Sequence, residues 1–125
     1  MARTILIVDD EDLIRKMVSM HFERAGYTVL SADNGIDGLK LAEEKLPDVT
    51  LLDINMPGMH GFEVCKKMRE NPKLDKTIII ITSARSYKPD IDKALELGAD
   101  EYVIKPSGLK DLVGIVDTQI SRRAP

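Results

Sequence analysis

Asp53 ends the apolar run Val49-Thr50-Leu51-Leu52 and is followed at once by Ile54-Asn55-Met56-Pro57-Gly58. A second acidic group, Asp9-Asp10-Glu11, ends the run Ile5-Leu6-Ile7-Val8, and a lone Lys105 follows Tyr102-Val103-Ile104. Thr82 and Ser83 end a fourth run, Ile78-Ile79-Ile80-Ile81. Charges that end buried strands meet when those strands lie side by side and parallel. Three carboxylates and one ammonium at such a place make a site for a divalent metal and a phosphoryl group. Mg²⁺ prefers hard oxygen ligands and retains several waters, and it would relieve the repulsion between Asp9 and Asp10. A carboxylate beside that ion can attack phosphorus and form an acyl phosphate, while the metal neutralises charge on the transferred group.

Each residue also has a plainer role available. Asp10 or Asp12 can cap a helix starting near Leu13. Asp53 can stabilise a turn, although the end of a buried strand is an unusual place for that. Lys105 can be solvated surface, but Pro106 after it implies a constrained turn where a cis bond is available. An ammonium reaching the acidic cluster would pair with a phosphoryl oxygen as a point charge. Either Ser83 or Thr82 can be an ordinary turn residue, or a hydroxyl that swings to a phosphoryl oxygen and carries its loop along. The loop after Asp53 bends sharply and can offer the Asn55 backbone carbonyl to a metal.

Strands are expected over residues 4–8, 28–31, 49–53, 78–83 and 102–104. The first, third and fourth are nearly all apolar and β-branched, which suits strands covered on both faces of a parallel sheet. The second alternates less clearly and fits an edge. Helical spacing fills each gap. Leu13, Ile14, Met17, Val18, Phe22 and Ala25 recur before Gly26, which stops that helix. Asn34-Gly35 opens the next, with Leu39, Ala42 and Leu46 inward and Pro47 closing it. Residues 61–69 set Phe62, Cys65 and Met68 on one side. Pro89 starts a helix carrying Ile91, Ala94 and Leu95 up to Gly98. Leu109, Leu112, Val113, Val116 and Ile120 stripe the last one. Five β-α units in succession imply an α/β fold, a doubly wound parallel sheet with right-handed crossovers and helices on both faces. Ligands in such sheets bind beyond the carboxyl ends of the strands, where the strand order reverses. Asp9, Asp10, Asp53, Ser83 and Lys105 all fall at that end.

Composition sets outer bounds. A chain of 125 residues is expected to form one domain, residues 1–125, with a single core. A net charge of −3 gives no general attraction to nucleic acid or anionic membrane. No apolar run approaches the length of a bilayer span, and the start of the chain lacks a signal peptide's layout, so a cytoplasmic location is expected. The single Cys65 rules out an internal disulfide and a cysteine-built metal site.

Val8-Asp9-Asp10-Glu11, Leu52-Asp53-Ile54-Asn55-Met56-Pro57-Gly58-Met59-His60-Gly61, Ser83-Ala84, Gly98-Ala99-Asp100 and Tyr102-Val103-Ile104-Lys105-Pro106 together resemble the receiver domain of two-component response regulators, the CheY-like family. The resemblance spans essentially the whole chain. It implies a flavodoxin-like (βα)5 fold of five strands in the order 2-1-3-4-5. It implies Asp53 as phosphoacceptor, Asp10 as a direct Mg²⁺ ligand, Asp9 acting mainly through water, the Asn55 carbonyl as a further ligand, and Lys105 on the phosphate. Between the two hydroxyls, Ala84 after Ser83 and the distance back to Asp53 favour Ser83. Tyr102 matches the aromatic switch position, and Asn55 and Arg85 flank the site where phosphate loss is tuned. The implied partners are a sensor histidine kinase or phosphotransfer protein upstream and an effector protein or fused output domain downstream. The implied role is a signalling switch acting through a surface of the fourth helix, fifth strand and fifth helix, and not an enzyme for external substrates.

Some positions depart from the family pattern. Ser107 replaces an apolar residue, so the start of the last helix is expected to pack loosely. Gly38 stands where alanine is usual, at about 1 kcal/mol of helix propensity. His60 reads as a loop residue, His21 as boundary packing, and Cys65 as a buried free thiol. Two other classes use similar parts. A Mg²⁺-dependent phosphohydrolase needs a second acid two residues after its nucleophile, where this chain has Asn55. A flavodoxin-like binding module needs a hydroxyl- and glycine-rich loop after the first strand, where Asp9-Asp10-Glu11 would repel a phosphate.

Overall fold

Runs of branched apolar residues form the strands, and amphipathic stretches between them form the helices that cover both sides. A computed structural model describes residues 3–105 and 107–123. The order is β1 (Thr4–Val8), α1 (Asp12–Arg24), β2 (Thr28–Ala32), α2 (Gly35–Lys45), β3 (Val49–Asp53), α3 (Gly61–Glu70), β4 (Ile78–Ser83), α4 (Lys88–Glu96), β5 (Glu101–Ile104) and α5 (Leu112–Arg123). Single 3₁₀ turns at Pro72–Leu74 and Leu109–Asp111 precede β4 and α5. All strand pairings are parallel, in the order β2-β1-β3-β4-β5. The expected flavodoxin-like fold is therefore present, and the order reverses between β1 and β3. Among the described residues, no helix is long and apolar enough to cross a membrane.

Alternation along the central strands divides the core into two layers. Leu6, Val8, Leu52, Ile79 and Ile81 meet Ala42, Val64, Cys65, Met68 and Ala94 on one face. Ile5, Ile7, Leu51, Ile78 and Ile80 meet Val18, Phe22, Leu112 and Val116 on the other. Every residue of β3 and β4 is buried, whereas β2 and β5 are mixed, as edges should be. At the amino-terminal end of the sheet, Asp100 accepts from the backbone N–H of Ile79 and pairs with Arg69 of α3 and Arg123 of α5. That one carboxylate ties three elements together.

Several local expectations change. The cap of α1 is Glu11, without a side-chain hydrogen bond, and Asp12 lies inside the first turn paired with Arg15. Leu13 is 80% exposed, and His21 and Ala25 are exposed too, so the inward stripe of α1 narrows to Val18 and Phe22 with Ile14 partly covered. Leu46 is half-exposed at the left-handed cap of α2 (φ 48°), because the helix must stop before Pro47 and the cap turns its side chain outward. Leu95 is also outward. The last α-helix begins only at Leu112, after the 3₁₀ turn that carries Leu109. Pro106, and with it the expected constrained turn and cis bond, lies outside the described residues.

Gly38 has a reason to be glycine. A Cβ there would lie 2.7 Å from Val8 Cγ1 and 2.8 Å from Cγ2. Val8 is buried and stiff at χ1, so it cannot yield without moving β1. Overpacking outweighs the gain in helix propensity, and Gly38→Ala should destabilise by about 1 kcal/mol net. Adding Val8→Ala should make the pair of changes clearly less than additive in urea melts. Thr50 carries the opposite kind of misfit, since its fully buried hydroxyl has no hydrogen-bond partner among the described residues. Replacing it with valine removes an unsatisfied polar atom at constant shape, so Thr50→Val should raise unfolding free energy by about 1 kcal/mol.

Candidate phosphoryl and metal site

Strand register brings the polar ends together. Val8 pairs with Leu52, Asp53 with Thr82, and Ser83 with Ile104. The residues just beyond those pairs therefore share one crevice at the point where the strand order reverses. One oxygen from each of Asp9, Asp10 and Asp53 lies within 4.8 Å of the others. Asp9 and Asp53 are buried, and Asp10 is exposed at the mouth. Lys105 is also buried, with Nζ 3.2 Å from Asp9 Oδ2, 3.4 Å from Asp53 Oδ1 and 3.3 Å from Glu11 Oε1. The sheet thus delivers all four of the expected charged side chains to one place.

Glu11 and Arg15 join the site as supporting neighbours. Glu11 closes the outer side of Lys105. Arg15 Nη1 donates to the Asp9 carbonyl at 2.8 Å, holding the turn that presents the acidic pair. The only sequence signal for Arg15 was its place in the first turns of a helix that starts beside the site. Gly61 matters for the same turn geometry. A Cβ on Gly61 would lie 2.3 Å from the Asp53 carbonyl oxygen, so α3 can abut the Asp53 backbone only with glycine there. The Gly61 N–H donates to the Ile54 carbonyl at 2.9 Å, closing the loop 55–60, and Gly58 takes φ 79° within it.

The hydroxyls differ in use. Thr82 Oγ1 faces the Leu52 carbonyl at 3.5 Å, at the limit of a hydrogen bond. Ser83 is fully buried, and its Oγ accepts the Arg85 N–H at 3.0 Å. The Tyr102 hydroxyl donates to the Arg85 carbonyl at 2.8 Å. The Arg85 side chain turns from the site to Asp90. His60 caps α3, its Nδ1 accepting the Phe62 N–H, and burial with Arg85 and Lys93 nearby holds its pKa down. Cys65 is buried, and burial pushes its thiol up to about 11, so it stays protonated and inert.

Burial pushes the Asp53 carboxyl up to about 7, against the pull of Lys105 and with Asp9 adding to the rise. Burial alone would lower Lys105, but Asp53 and Asp9 outweigh it and raise its pKa. The ammonium is therefore permanent, and Asp53 is the group with a proton to give up. Three convergent carboxylates with one ammonium leave an excess of negative charge on hard oxygens. That donor set fits a hard divalent cation such as Mg²⁺.

Residues 5–117 match the family described as the response regulator receiver domain, and the chain belongs to that family. It is 42% identical over 103 residues to the transcriptional regulatory protein AfsQ1 of Streptomyces coelicolor, covering 82% of this chain but 44% of that protein. Chemotaxis protein CheY4 of Vibrio cholerae superposes with a TM-score of 0.88 at 30% identity, over 94% of this chain and 98% of its own. A CheY-like receiver domain protein of Methanospirillum hungatei JF-1 gives a TM-score of 0.91 at 27% identity, over 98% and 97%. The chain is thus a receiver domain of the two-component type, spanning less than half of the curated relative.

The raised Asp53 pKa has a consequence for stability. The folded state holds this proton more tightly than the unfolded chain, whose carboxyl titrates near 3.8. Without metal, this contribution is fully present below about 4 and is lost as pH rises to about 7. Asp53→Asn should abolish that fall and stabilise the metal-free protein at pH 8 by on the order of 2 kcal/mol. Mg²⁺ should favour the ionised carboxylate, so its stabilisation of the native protein should grow with pH over the same window. Urea melts at several pH values, with and without Mg²⁺, read all three effects.

Proposed function

We propose that this chain is a phosphorylation-activated switch, a single receiver domain that accepts a phosphoryl group on Asp53 from a phosphohistidine. The donor is a sensor histidine kinase or phosphotransfer protein acting in the cytoplasm. The observation that carries the reading is the convergence of Asp9, Asp10, Asp53 and Lys105 in one half-buried crevice. Asp9, Asp10, Asp53 and the Asn55 carbonyl would hold Mg²⁺, which when bound neutralises charge on the phosphoryl oxygens.

Asp53 supplies the nucleophilic oxygen. A bond forms from it to phosphorus as the phosphorus–nitrogen bond breaks, and the donor histidine leaves with the electron pair. Lys105, already beside Asp53, pairs with a phosphoryl oxygen and releases part of its contact with Asp9 and Glu11. Ser83 gives the phosphoryl group a hydroxyl donor. Its present partner is Arg85, whose carbonyl holds Tyr102, so motion of the hydroxyl is linked to motion of the ring. Two conformers pre-exist, and the acyl phosphate favours the one in which Ser83 and Tyr102 have moved inward. The face of α4, β5 and α5 then changes and controls a downstream effector or a fused output domain. The role is signalling, with the domain assisting its own phosphorylation and dephosphorylation. Asn55 supplies no second acid for the phosphohydrolase alternative.

Incubation with acetyl phosphate and Mg²⁺ should add one phosphoryl group by intact mass, and Asp53→Asn should not gain it. Lys105→Met should slow the gain by about 10²-fold, as expected for loss of one preorganised charge donor. Ser83→Ala should still be phosphorylated but lose most of the NMR shift at Tyr102. A phosphoryl group that appears undiminished on Asp53→Asn would end this reading.

A further inference from the structure

Arg85 is joined to three residues at once. Its N–H donates to Ser83 Oγ, its carbonyl accepts from the Tyr102 hydroxyl, and its guanidinium Nη1 lies 3.5 Å from Asp90 Oδ2. Residues 84–87 are exposed and carry no helix or strand. Beyond its chain ends, this loop is therefore held chiefly by those three links. Asp90 belongs to the first turn of α4, where its own N–H bonds to the Tyr87 carbonyl. The helix is fixed to the sheet by Ala94, which is fully buried. One end of the Arg85–Asp90 tether is thus anchored and the other is attached to the loop that must move.

We propose that Asp90 is a positioning residue that latches the Ser83–Arg85 loop in its outward arrangement, and so sets how readily the domain reaches its phosphorylated conformation. The proposal rests on the reading of Asp53 as phosphoacceptor. When the Ser83 hydroxyl turns to a phosphoryl oxygen, the Arg85 N–H must be released or drawn along. Drawn along, it carries the Arg85 carbonyl from Tyr102 and pulls the guanidinium from Asp90. The ion pair opposes all three displacements together. It is a modest restraint, because the Arg85 side chain is 54% exposed although Asp90 is only 19% exposed. An exposed pair of this kind shifts an equilibrium by small factors and weakens with salt. A second ion pair on the same helix, Lys88 to Asp92 at 2.7 Å, touches neither Ser83 nor Tyr102 and has no such leverage.

The test is an equilibrium titration with beryllofluoride at saturating Mg²⁺, followed by the Tyr102 NMR signals. Wild type is compared with Asp90→Asn, Arg85→Gln, the double variant and Asp92→Asn, with urea melts confirming that each is folded. Releasing a latch raises the competent fraction, and apparent affinity rises by the same factor. Asp90→Asn and Arg85→Gln should each bind about two- to fivefold more tightly. The double variant should gain no more than either alone, and Asp92→Asn should match wild type. The advantage of Asp90→Asn over wild type should shrink at high salt. Unchanged or weaker binding by Asp90→Asn overturns the latch, as does an equal gain in Asp92→Asn. A wild-type protein that fails to bind beryllofluoride overturns the phosphoacceptor reading itself, and the latch falls with it.

Discussion

A buried ammonium sits between two buried carboxylates at the point where β1 and β3 diverge, and the rest of the molecule is arranged around that contact. Lys105 reaches both Asp9 and Asp53 from the far side of β4. Like charges packed this closely in a poorly hydrated crevice would oppose folding if nothing offset them. Here Lys105 offsets part of the repulsion and the raised Asp53 pKa removes more. The remaining excess of negative charge on hard oxygens is a donor set that fits a cation. The same imbalance that limits stability is therefore what suits the donor set to a cation.

Holding that contact depends on close backbone approaches. Gly61 lets α3 abut the Asp53 carbonyl, and Gly35 does the same for α2 against the Met59 carbonyl, where a Cβ would fall at 2.3 Å. Gly38 lets α2 lie directly on Val8, the residue before Asp9. Helices on one face thus press against the loops that carry the candidate site residues. At the opposite end, Asp100 locks β4, α3 and α5 through Arg69 and Arg123. A rigid frame at one end and an exposed, lightly tied loop after β4 at the other is the arrangement expected when only one edge of a site must move.

Ser83, Arg85 and Tyr102 form a chain of hydrogen bonds that runs from the crevice to the outer face of β5. A change in one hydroxyl's partner can therefore be felt at the surface without any large rearrangement of the core. Such coupling needs two discrete arrangements and not a continuous deformation, because the layers on either side are close-packed.

Much of this was legible in the chain itself. Fully apolar β-branched runs at β1, β3 and β4 have one stable environment, a sheet covered on both faces, and five β-α repeats leave few topologies. The candidate residues at strand ends follow from that pattern, since parallel pairing sends every carboxyl end the same way. What escaped the sequence was set by neighbours distant along the chain. Periodicity alone places Leu13 and Leu46 inward, but α1 buries only Val18 and Phe22 with Ile14 partly covered, and Pro47 turns Leu46 out. Gly38 is a weak helix position by propensity alone, and only the packing of Val8 against it explains the glycine. Glu11 meets Lys105 only because separate β-α units converge, and the contacts of Arg15 and of the Arg85–Asp90 pair depend on how a strand-to-helix turn folds, which residue type and spacing alone do not fix. Local pattern determines which elements form and which ends carry charge. Only tertiary packing decides which of those charges are buried together, and burial is what lifts the Asp53 carboxyl out of the ordinary aspartate range.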